Sequence, residues 1–138
     1  MDEVLLGKAN IIERCLKRID EVYLGHEDEL ETDFIRQDSI VLNLQRACEA
    51  SIDAAMHLVR IHKLGIPNES RQAFELLARA GKLDASLERK LIGMIGFRNV
   101  AVHNYQELDM AILRGILAER LVDLRTFAAL LIKNALPA

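Results

Sequence analysis

The chain is organised around the stretch Gly96-Phe97-Arg98-Asn99-Val100-Ala101-Val102-His103-Asn104-Tyr105. Most of this run is apolar and favours a helix, yet it carries three chemically active side chains. Arg98 is a permanent cation, His103 can exchange a proton near neutral pH, and Tyr105 is a phenol. Polar groups in apolar surroundings cost free energy unless they find partners. The stretch therefore indicates a site mounted on a helix.

The composition outside this stretch favours helices as well. Of the 138 residues, 51% are hydrophobic but only 4% are aromatic, Trp is absent and there are two prolines. The core must then be built from Leu, Ile, Ala and Val, and long helices are uninterrupted. No sustained alternation of apolar and polar residues and no Asn-Gly or Asp-Gly turn indicates a β-hairpin. We expect an all-α protein, a single domain over residues 1–138, folded as an antiparallel bundle of four to five helices.

Glycines and capping residues divide the chain into five predicted helices. Gly25, the turn Gly65-Ile66-Pro67-Asn68 and Gly81 are stop signals, and Asp84 is a fair N-cap for the helix that carries the motif. The other predicted helices cover about Glu3–Leu24, Asp33–Leu64, Ser70–Ala80 and Asp109–Asn134.

Two glycines, Gly93 and Gly96, fall inside the motif-bearing helix, where each costs up to ~1 kcal/mol relative to Ala. Their expected benefit is the close approach of another backbone, from a neighbouring helix or from a second copy of the chain.

Several classes of protein are disfavoured by the sequence. No apolar run approaches the ~18 residues needed to span a membrane, and the amphipathic N-terminus is unlike a signal peptide. Cys15 and Cys48 fall on apolar helical faces without metal-ligand spacing, which suits the reducing cytoplasm. His57 and His62, five residues apart, do not share a helical face as a metal pair would. We expect no metal, no cofactor and no membrane partner.

The charge is unevenly distributed along the chain. The formal net charge is −3, which disfavours indiscriminate nucleic-acid binding and a DNA partner. Residues 1–39 carry 11 acidic and 5 basic side chains, a balance of −6, whereas residues 71–98 carry 6 basic and 3 acidic ones, a balance of +3. The positive excess thus leads into the motif, where a phosphate group would be attracted.

Arg98 and His103 together suit RNA cleavage without a metal. That reaction needs a base for the 2′-hydroxyl, an acid for the leaving 5′-oxygen and positive donors for the phosphorane. On an ideal helix the two residues are rotated by about 140°, so the motif works best if the helix ends near His103. One chain offers one such histidine. Two copies about a two-fold axis would supply both acid and base, so we expect a homodimer with a composite cleft.

Structural explanations compete with this interpretation at every position. In these alternatives Arg98 pairs with a surface carboxylate such as Glu107, and His103 interacts with the negative end of its helix. Tyr105 is then a half-buried core aromatic, and Asn99 is a solvated side chain. Short patterns such as Arg-x4-His often arise by chance.

The full string Gly-Phe-Arg-Asn-x3-His-x-Tyr is more specific, and it resembles the signature of HEPN ribonuclease toxins. The HepT branch, whose members pair with a nucleotidyltransferase (MNT) antitoxin, is the most similar. The motif also occupies the expected place, late in the chain before one last long helix. The stretches Asp38-Ser39-Ile40 and Ala47–Asp53 on the second helix resemble the family too.

The resemblance implies the toxin of a type II toxin–antitoxin system that acts as a metal-independent endoribonuclease. Arg98 would hold the scissile phosphate, His103 would be the acid/base residue, and Asn99 would support the cleft. Tyr105 matches the tyrosine that the antitoxin AMPylates from ATP, which would block the cleft with bulk and negative charge. The RNA target and the stoichiometry with the antitoxin are not encoded in any recognisable pattern.

Two other functions stay open on the sequence alone. One is a non-catalytic helical dimerisation or interaction module in which Arg98 and His103 organise an interface. The other is an RNA- or nucleotide-binding HEPN domain that does not cut, although few aromatics are available for stacking.

Overall fold

The protein is described by a computed structural model that covers residues 1–137. Within them there are six α-helices, no strand, and two short 3₁₀ helices at Glu27–Glu29 and Tyr105–Glu107. The α-helices are α1 (Glu3–Tyr23), α2 (Phe34–Ile61), α3 (Ser70–Arg79), α4 (Ala85–His103), α5 (Met110–Glu119) and α6 (Leu121–Ala135). The all-α prediction is confirmed.

Helix starts and stops follow local chemistry. The carboxylates of Asp2, Asp33, Asp84 and Asp109 accept backbone N–H groups at the first turns of α1, α2, α4 and α5. Gly25, which follows α1, has a φ of +83°, a value that L side chains rarely adopt. Each of these signals lies within a few residues of the helix end that it determines. The predicted helix ends therefore agree with the observed ones to within one to three positions.

Helix α2 lies at the centre of the bundle and packs against α1, α3, α4 and α6. Helix α6 also packs along α1, and α4 contacts α3 and α6. The core that they enclose is almost entirely aliphatic, with one edge-to-face aromatic pair between Phe74 and Phe127, whose ring centroids are 5.8 Å apart. This arrangement places the C-terminal half of α4 beside α2.

The prediction of one last helix over Asp109–Asn134 is wrong. The chain leaves α5 at Arg120, which has φ −110° and ψ −13°, and starts α6 at Leu121. The redirection lets Arg114 of α5 reach Glu31 in the α1–α2 connector, with 3.0 Å between Nε and Oε1, while α6 lies along α1. The apolar repeat runs through the break without a Gly or Pro, so the sequence gives no sign of it.

Gly93 and Gly96 do not serve contacts within the chain. Both are exposed on α4, and a Cβ atom built on either would meet nothing within 4 Å in residues 1–137. The expected approach of a neighbouring helix is therefore not found, and the alternative of a second copy is taken up below.

No helix in residues 1–137 is both long enough and apolar enough to cross a lipid bilayer.

Asp2 joins the start of α1 to the end of α2. Its Oδ1 atom accepts the N–H groups of Val4 at 3.0 Å and Leu5 at 3.1 Å, and its Oδ2 atom lies 2.8 Å from Nε2 of His57. The hydrogen bond to His57 is the main cause that lowers the pKa of the Asp2 carboxyl below its usual value of 3.8. His57 thus has a structural role, since it joins the end of α2 to the N-cap of α1.

This pair makes stability depend on pH. The folded pKa of Asp2 is lower than its unfolded value, so the carboxylate stabilises the fold above about 3.8 and loses that contribution as pH falls through the folded pKa. Asp2→Asn keeps an N-cap oxygen but cannot ionise. We expect wild type to have a larger free energy of unfolding than Asp2→Asn in urea at about pH 6, with the difference shrinking below about pH 4. A difference that stays constant down to that acidic range would contradict the assignment, and Glu3→Gln is the control.

Candidate functional site

The motif spans the end of α4 and the 3₁₀ helix that follows. Arg98, Asn99 and His103 lie on α4, whose last residue is His103, and Tyr105 begins the 3₁₀ helix. Asn104 ends α4 with φ −141° and ψ 49°, and its N–H still donates to the carbonyl of Val100 at 2.8 Å. The helix therefore ends at His103, the position near which its end was expected from the sequence.

Arg98 points towards α2 and is only partly satisfied there. Its Nη2 atom lies 3.6 Å from Oε2 of Glu49, and its Nη1 donates to Oδ1 of Asn99 at 3.2 Å. Its Nε is buried and has no hydrogen-bond partner within residues 1–137. The distance to Glu49 is that of an ion pair rather than a hydrogen bond. The suggested pairing of Arg98 with Glu107 is not formed, because α2 supplies the carboxylate instead.

The partner of Arg98 is itself held in place. The Nε2 of Gln45, one turn earlier on α2, donates to Oε1 of Glu49 at 2.9 Å. This leaves Oε2 of Glu49 directed to the guanidinium. The side-chain layer that orients Arg98 therefore comes entirely from α2 and from the adjacent Asn99.

His103 is exposed and makes no side-chain hydrogen bond or ion pair within residues 1–137. Asn99 is exposed as well, but it is more than a solvated side chain because it accepts from Arg98. Arg98 and His103 lie on one continuous helix, about 7.5 Å apart along its axis and about 140° apart around it. Within one chain, therefore, they face different directions.

Tyr105 is half-buried against the core and hydrogen-bonded at its tip. Its hydroxyl donates to Oδ1 of Asp38 on α2 at 2.6 Å. Burial, and after it this carboxylate, holds the pKa of the Tyr105 phenol well above its ordinary value. The phenol stays protonated at neutral pH, although the oxygen remains at the surface beside the exposed Asp38.

Asp38 and Glu49 fall in the stretches of α2 that resemble the family, but sequence reasoning gave neither residue a role in the site. They are eleven positions apart on α2, which leaves a net rotation of about 20° around the helix axis, so they share one face of that helix. Gln45 lies on the same face, seven residues after Asp38. This polar line along one face of α2 was a usable signal, but its partners, Arg98 on α4 and Tyr105 just after α4, are 49 and 67 residues away in sequence.

An apolar groove lies beside the motif, between α4 and α5. It has a volume of about 590 Å³, and its lining includes Gly93, Gly96, Val100, Leu108 and Ile112. The side chain of Ile112 is 58% exposed there. Residues 1–137 contain no group of three or more His, Cys, Asp or Glu side chains arranged to hold a metal ion.

Comparison with known proteins gives consistent matches over nearly the whole chain. The family described as Ribonuclease HepT-like matches residues 12–131. The protein called mRNA nuclease HepT from Shewanella oneidensis is 44% identical over 127 residues, which cover 92% of this chain and 95% of that protein.

Solved structures agree with the sequence match. A tri-AMPylated Shewanella oneidensis HEPN toxin, solved in complex with an MNT antitoxin, superposes with a TM-score of 0.90 at 43% identity, covering 97% of this chain and 99% of that one. A toxin–antitoxin complex with AMP-PNP gives a TM-score of 0.89 at 42% identity, covering 95% of this chain and 99% of the matched one. By its sequence and its fold, this chain belongs to the HepT-like ribonuclease family of HEPN proteins.

Proposed function

We propose that this protein is the toxin of a type II toxin–antitoxin pair and cleaves RNA as a metal-independent endoribonuclease, with Arg98 and His103 as catalytic residues. The related Shewanella oneidensis protein is named an mRNA nuclease, and the related structures are HEPN toxins with MNT antitoxins. The two free, buried cysteines suit the cytoplasm, where the RNA substrate is found.

The observation that carries the catalytic assignment is the incomplete satisfaction of Arg98. Buried side-chain donors are usually paired in a folded protein. Arg98 has a buried Nε without a partner within residues 1–137, one hydrogen bond from Nη1 to its neighbour and a long ion pair from Nη2 to Glu49. Glu49 therefore orients the guanidinium while hydrogens on Nη1 and Nη2 stay unpaired, and a phosphate can engage these two atoms in a bidentate fork. Arg98 would thus stabilise the negative charge of the phosphorane, and Asn99 holds the Nη1 atom of Arg98 in place.

His103 is the proton-transfer group of this mechanism. It is exposed at the end of α4 and has no protein partner within residues 1–137 that would consume its nitrogens. The 2′-hydroxyl attacks the adjacent phosphorus, one histidine takes its proton, and another protonates the departing 5′-oxygen. The products are a 2′,3′-cyclic phosphate and a free 5′-hydroxyl.

The active form in this proposal is a homodimer. Arg89, Gly93, Gly96, Val100 and His103 are spaced by four, three, four and three residues, so they form one stripe along α4. Within residues 1–137 nothing lies within 4 Å of a Cβ at either glycine, and the apolar groove beside the stripe is open. A second copy packed on this stripe would bring the two His103 side chains together, and the composite cleft that we propose also needs the two Arg98 residues, which lie on the α2 side of α4.

Neutralisation is assigned to AMPylation of Tyr105 by an MNT antitoxin. The related Shewanella oneidensis toxin is tri-AMPylated. Tyr105 is two residues from His103, and its hydroxyl lies at the surface. An attached AMP would add bulk and negative charge where an RNA phosphate must enter, so inactivation needs no refolding.

The catalytic assignment predicts loss of cleavage without loss of fold. Arg98→Ala and His103→Ala should each reduce the cleavage rate of a labelled RNA in EDTA by about 100-fold or more, as expected for a lost electrostatic or acid–base group. The matched control is His62→Ala, since His62 is an exposed histidine at the other end of α2. Cleavage ends are identified by mass spectrometry, and helical content and dimer mass are checked first. Full activity in His103→Ala would refute the mechanism, and monomeric or unfolded variants would favour the interaction module.

The dimer assignment predicts that Gly96→Leu abolishes association and cleavage together. In the isolated chain the new side chain meets no atom within 4 Å at Cβ, and removing a helical glycine gains up to ~1 kcal/mol. The expected result is a monomer of equal or higher melting temperature. Gly7→Leu is the matched control, because Gly7 is also helical, exposed and without neighbours within 4 Å. A Gly96→Leu protein that stays dimeric and active would place the interface elsewhere.

The modification assignment predicts a single acceptor side chain. The protein has two tyrosines, Tyr23 and Tyr105. After co-expression with the cognate antitoxin, peptide mass spectrometry should find AMP on Tyr105 and not on Tyr23. Tyr105→Phe should remain unmodified and toxic in the presence of the antitoxin. An unmodified Tyr105 in a toxin that the antitoxin has silenced would contradict the proposal.

A further inference from the structure

The contact between Tyr105 and Asp38 joins two segments 67 residues apart. The phenol hydroxyl donates to Oδ1 of Asp38 at 2.6 Å. Both groups are reachable, because Asp38 is exposed on α2 and Tyr105 is only half-buried. A macromolecule that approaches this surface meets the oxygen and the carboxylate together.

Stability alone does not account for this pair. A hydrogen bond between side chains at the surface contributes little, because water competes for both groups. Within residues 1–137 Asp38 makes no other hydrogen bond and has no cation within ion-pair distance, unlike Glu49 with Arg98. Its negative charge is therefore directed at one proton, that of the Tyr105 hydroxyl.

We propose that Asp38 is the general base for nucleotide transfer to Tyr105, so that the toxin supplies the proton acceptor for its own modification. The inference rests on the proposed function, in which Tyr105 is the acceptor of AMP. A positioned base works when it lies about 2.6–3.2 Å from the oxygen that it deprotonates. An aspartate accepts the proton of a substrate hydroxyl in the same manner in protein kinases.

The step balances as follows when a nucleoside triphosphate is the co-reactant. The Tyr105 oxygen attacks the α-phosphorus, and its O–H bond breaks as the proton passes to Oδ1 of Asp38. A bond forms between this oxygen and phosphorus, and the bond to the β-phosphate bridging oxygen breaks. Pyrophosphate leaves with the electron pair, and Asp38 later releases its proton to water.

A base is needed because the phenol is not ionised beforehand. Burial and the Asp38 carboxylate both raise the pKa of Tyr105, so tyrosinate is scarce at neutral pH. The same carboxylate that disfavours free tyrosinate is placed to remove the proton as the new bond forms. In the resting protein the Asp38 charge thus disfavours tyrosinate, whereas during the reaction the same carboxylate accepts the proton and favours attack.

Asp38 is separate from the groups assigned to RNA cleavage. The α2 residue that contacts those groups is Glu49, which lies about 16 Å further along the helix from Asp38. No hydrogen bond or ion pair links Asp38 to Arg98 within residues 1–137. Modification and cleavage can thus be measured as independent activities.

The experiment measures AMP transfer by intact-protein mass spectrometry, using purified toxin, its cognate antitoxin and ATP. The informative variant is Asp38→Asn, whose amide oxygen still accepts the Tyr105 hydrogen bond but is too weak a base to take the proton. We expect its transfer rate at about pH 7 to fall by about 100-fold or more. Asp38→Glu retains a carboxylate and should recover part of the rate. Asp53→Asn, the same change elsewhere on α2 at a side chain paired with Lys8, is the matched control.

The pH dependence separates a base from a residue that only orients the phenol. For wild type the rate should vary little from about pH 6.5 to 8.5, because the positioned base takes the proton as the new bond forms and no prior ionisation of the phenol is needed. For Asp38→Asn the rate should rise nearly tenfold per pH unit, because the phenol must ionise without help. Equal rates and equal profiles in wild type and Asp38→Asn would overturn this inference while leaving the acceptor assignment intact. Wild-type protein that takes no AMP, or Tyr105→Phe that takes it as well as wild type, would overturn the acceptor assignment and this inference with it.

Discussion

The structure depends on close packing around α2, which packs against α1, α3, α4 and α6. Small side chains make such crowding possible, because they let neighbouring helix axes approach. Those buried along α2 are Ala47, Ala50, Ser51, Ala54 and Ala55. A helix fixed on so many sides offers a rigid support for the polar residues that face α4 and the turn after it.

Two side chains of the candidate site are oriented by carboxylates on α2. Arg98 and Tyr105 come from α4 and the short turn after it, but the carboxylates that face them, Glu49 and Asp38, stand on the same side of α2. Each active group of the motif that has a partner within residues 1–137 is therefore oriented by the most constrained helix in the bundle. His103, at the free end of α4, is the exception, and it is also the group whose role needs a second chain.

Much of the fold could be predicted because its determinants are local. Helix ends follow from aspartate caps and from glycines such as Gly25, and the buried stripes follow from helical spacing. The break at Arg120 could not be predicted in this way, because the leucine spacing continues across it. What places the break is the packing of α5 and α6 against different parts of the bundle, which is a tertiary effect.

The candidate site was predicted unevenly for the same reason. Arg98, Asn99, His103 and Tyr105 form a compact string that stands out in sequence. Their partners on α2 are distant along the chain, so the competing structural explanation for Arg98 named a carboxylate that is near in sequence, Glu107, and not Glu49. The spacing of Asp38, Gln45 and Glu49 on one face of α2 is the pattern that carried the missing information.

Cys48 gives this architecture a kinetic consequence. It precedes Glu49, is 2% exposed, and has its pKa raised to about 12, chiefly by burial and then by the Glu49 charge. A thiol reacts as its thiolate, so reagents and oxidants reach Cys48 only when the chain around α2 opens. The alkylation rate of Cys48 therefore reports local unfolding of the part of α2 beneath Arg98. Because the thiol is native, this measurement needs no substitution in the protein.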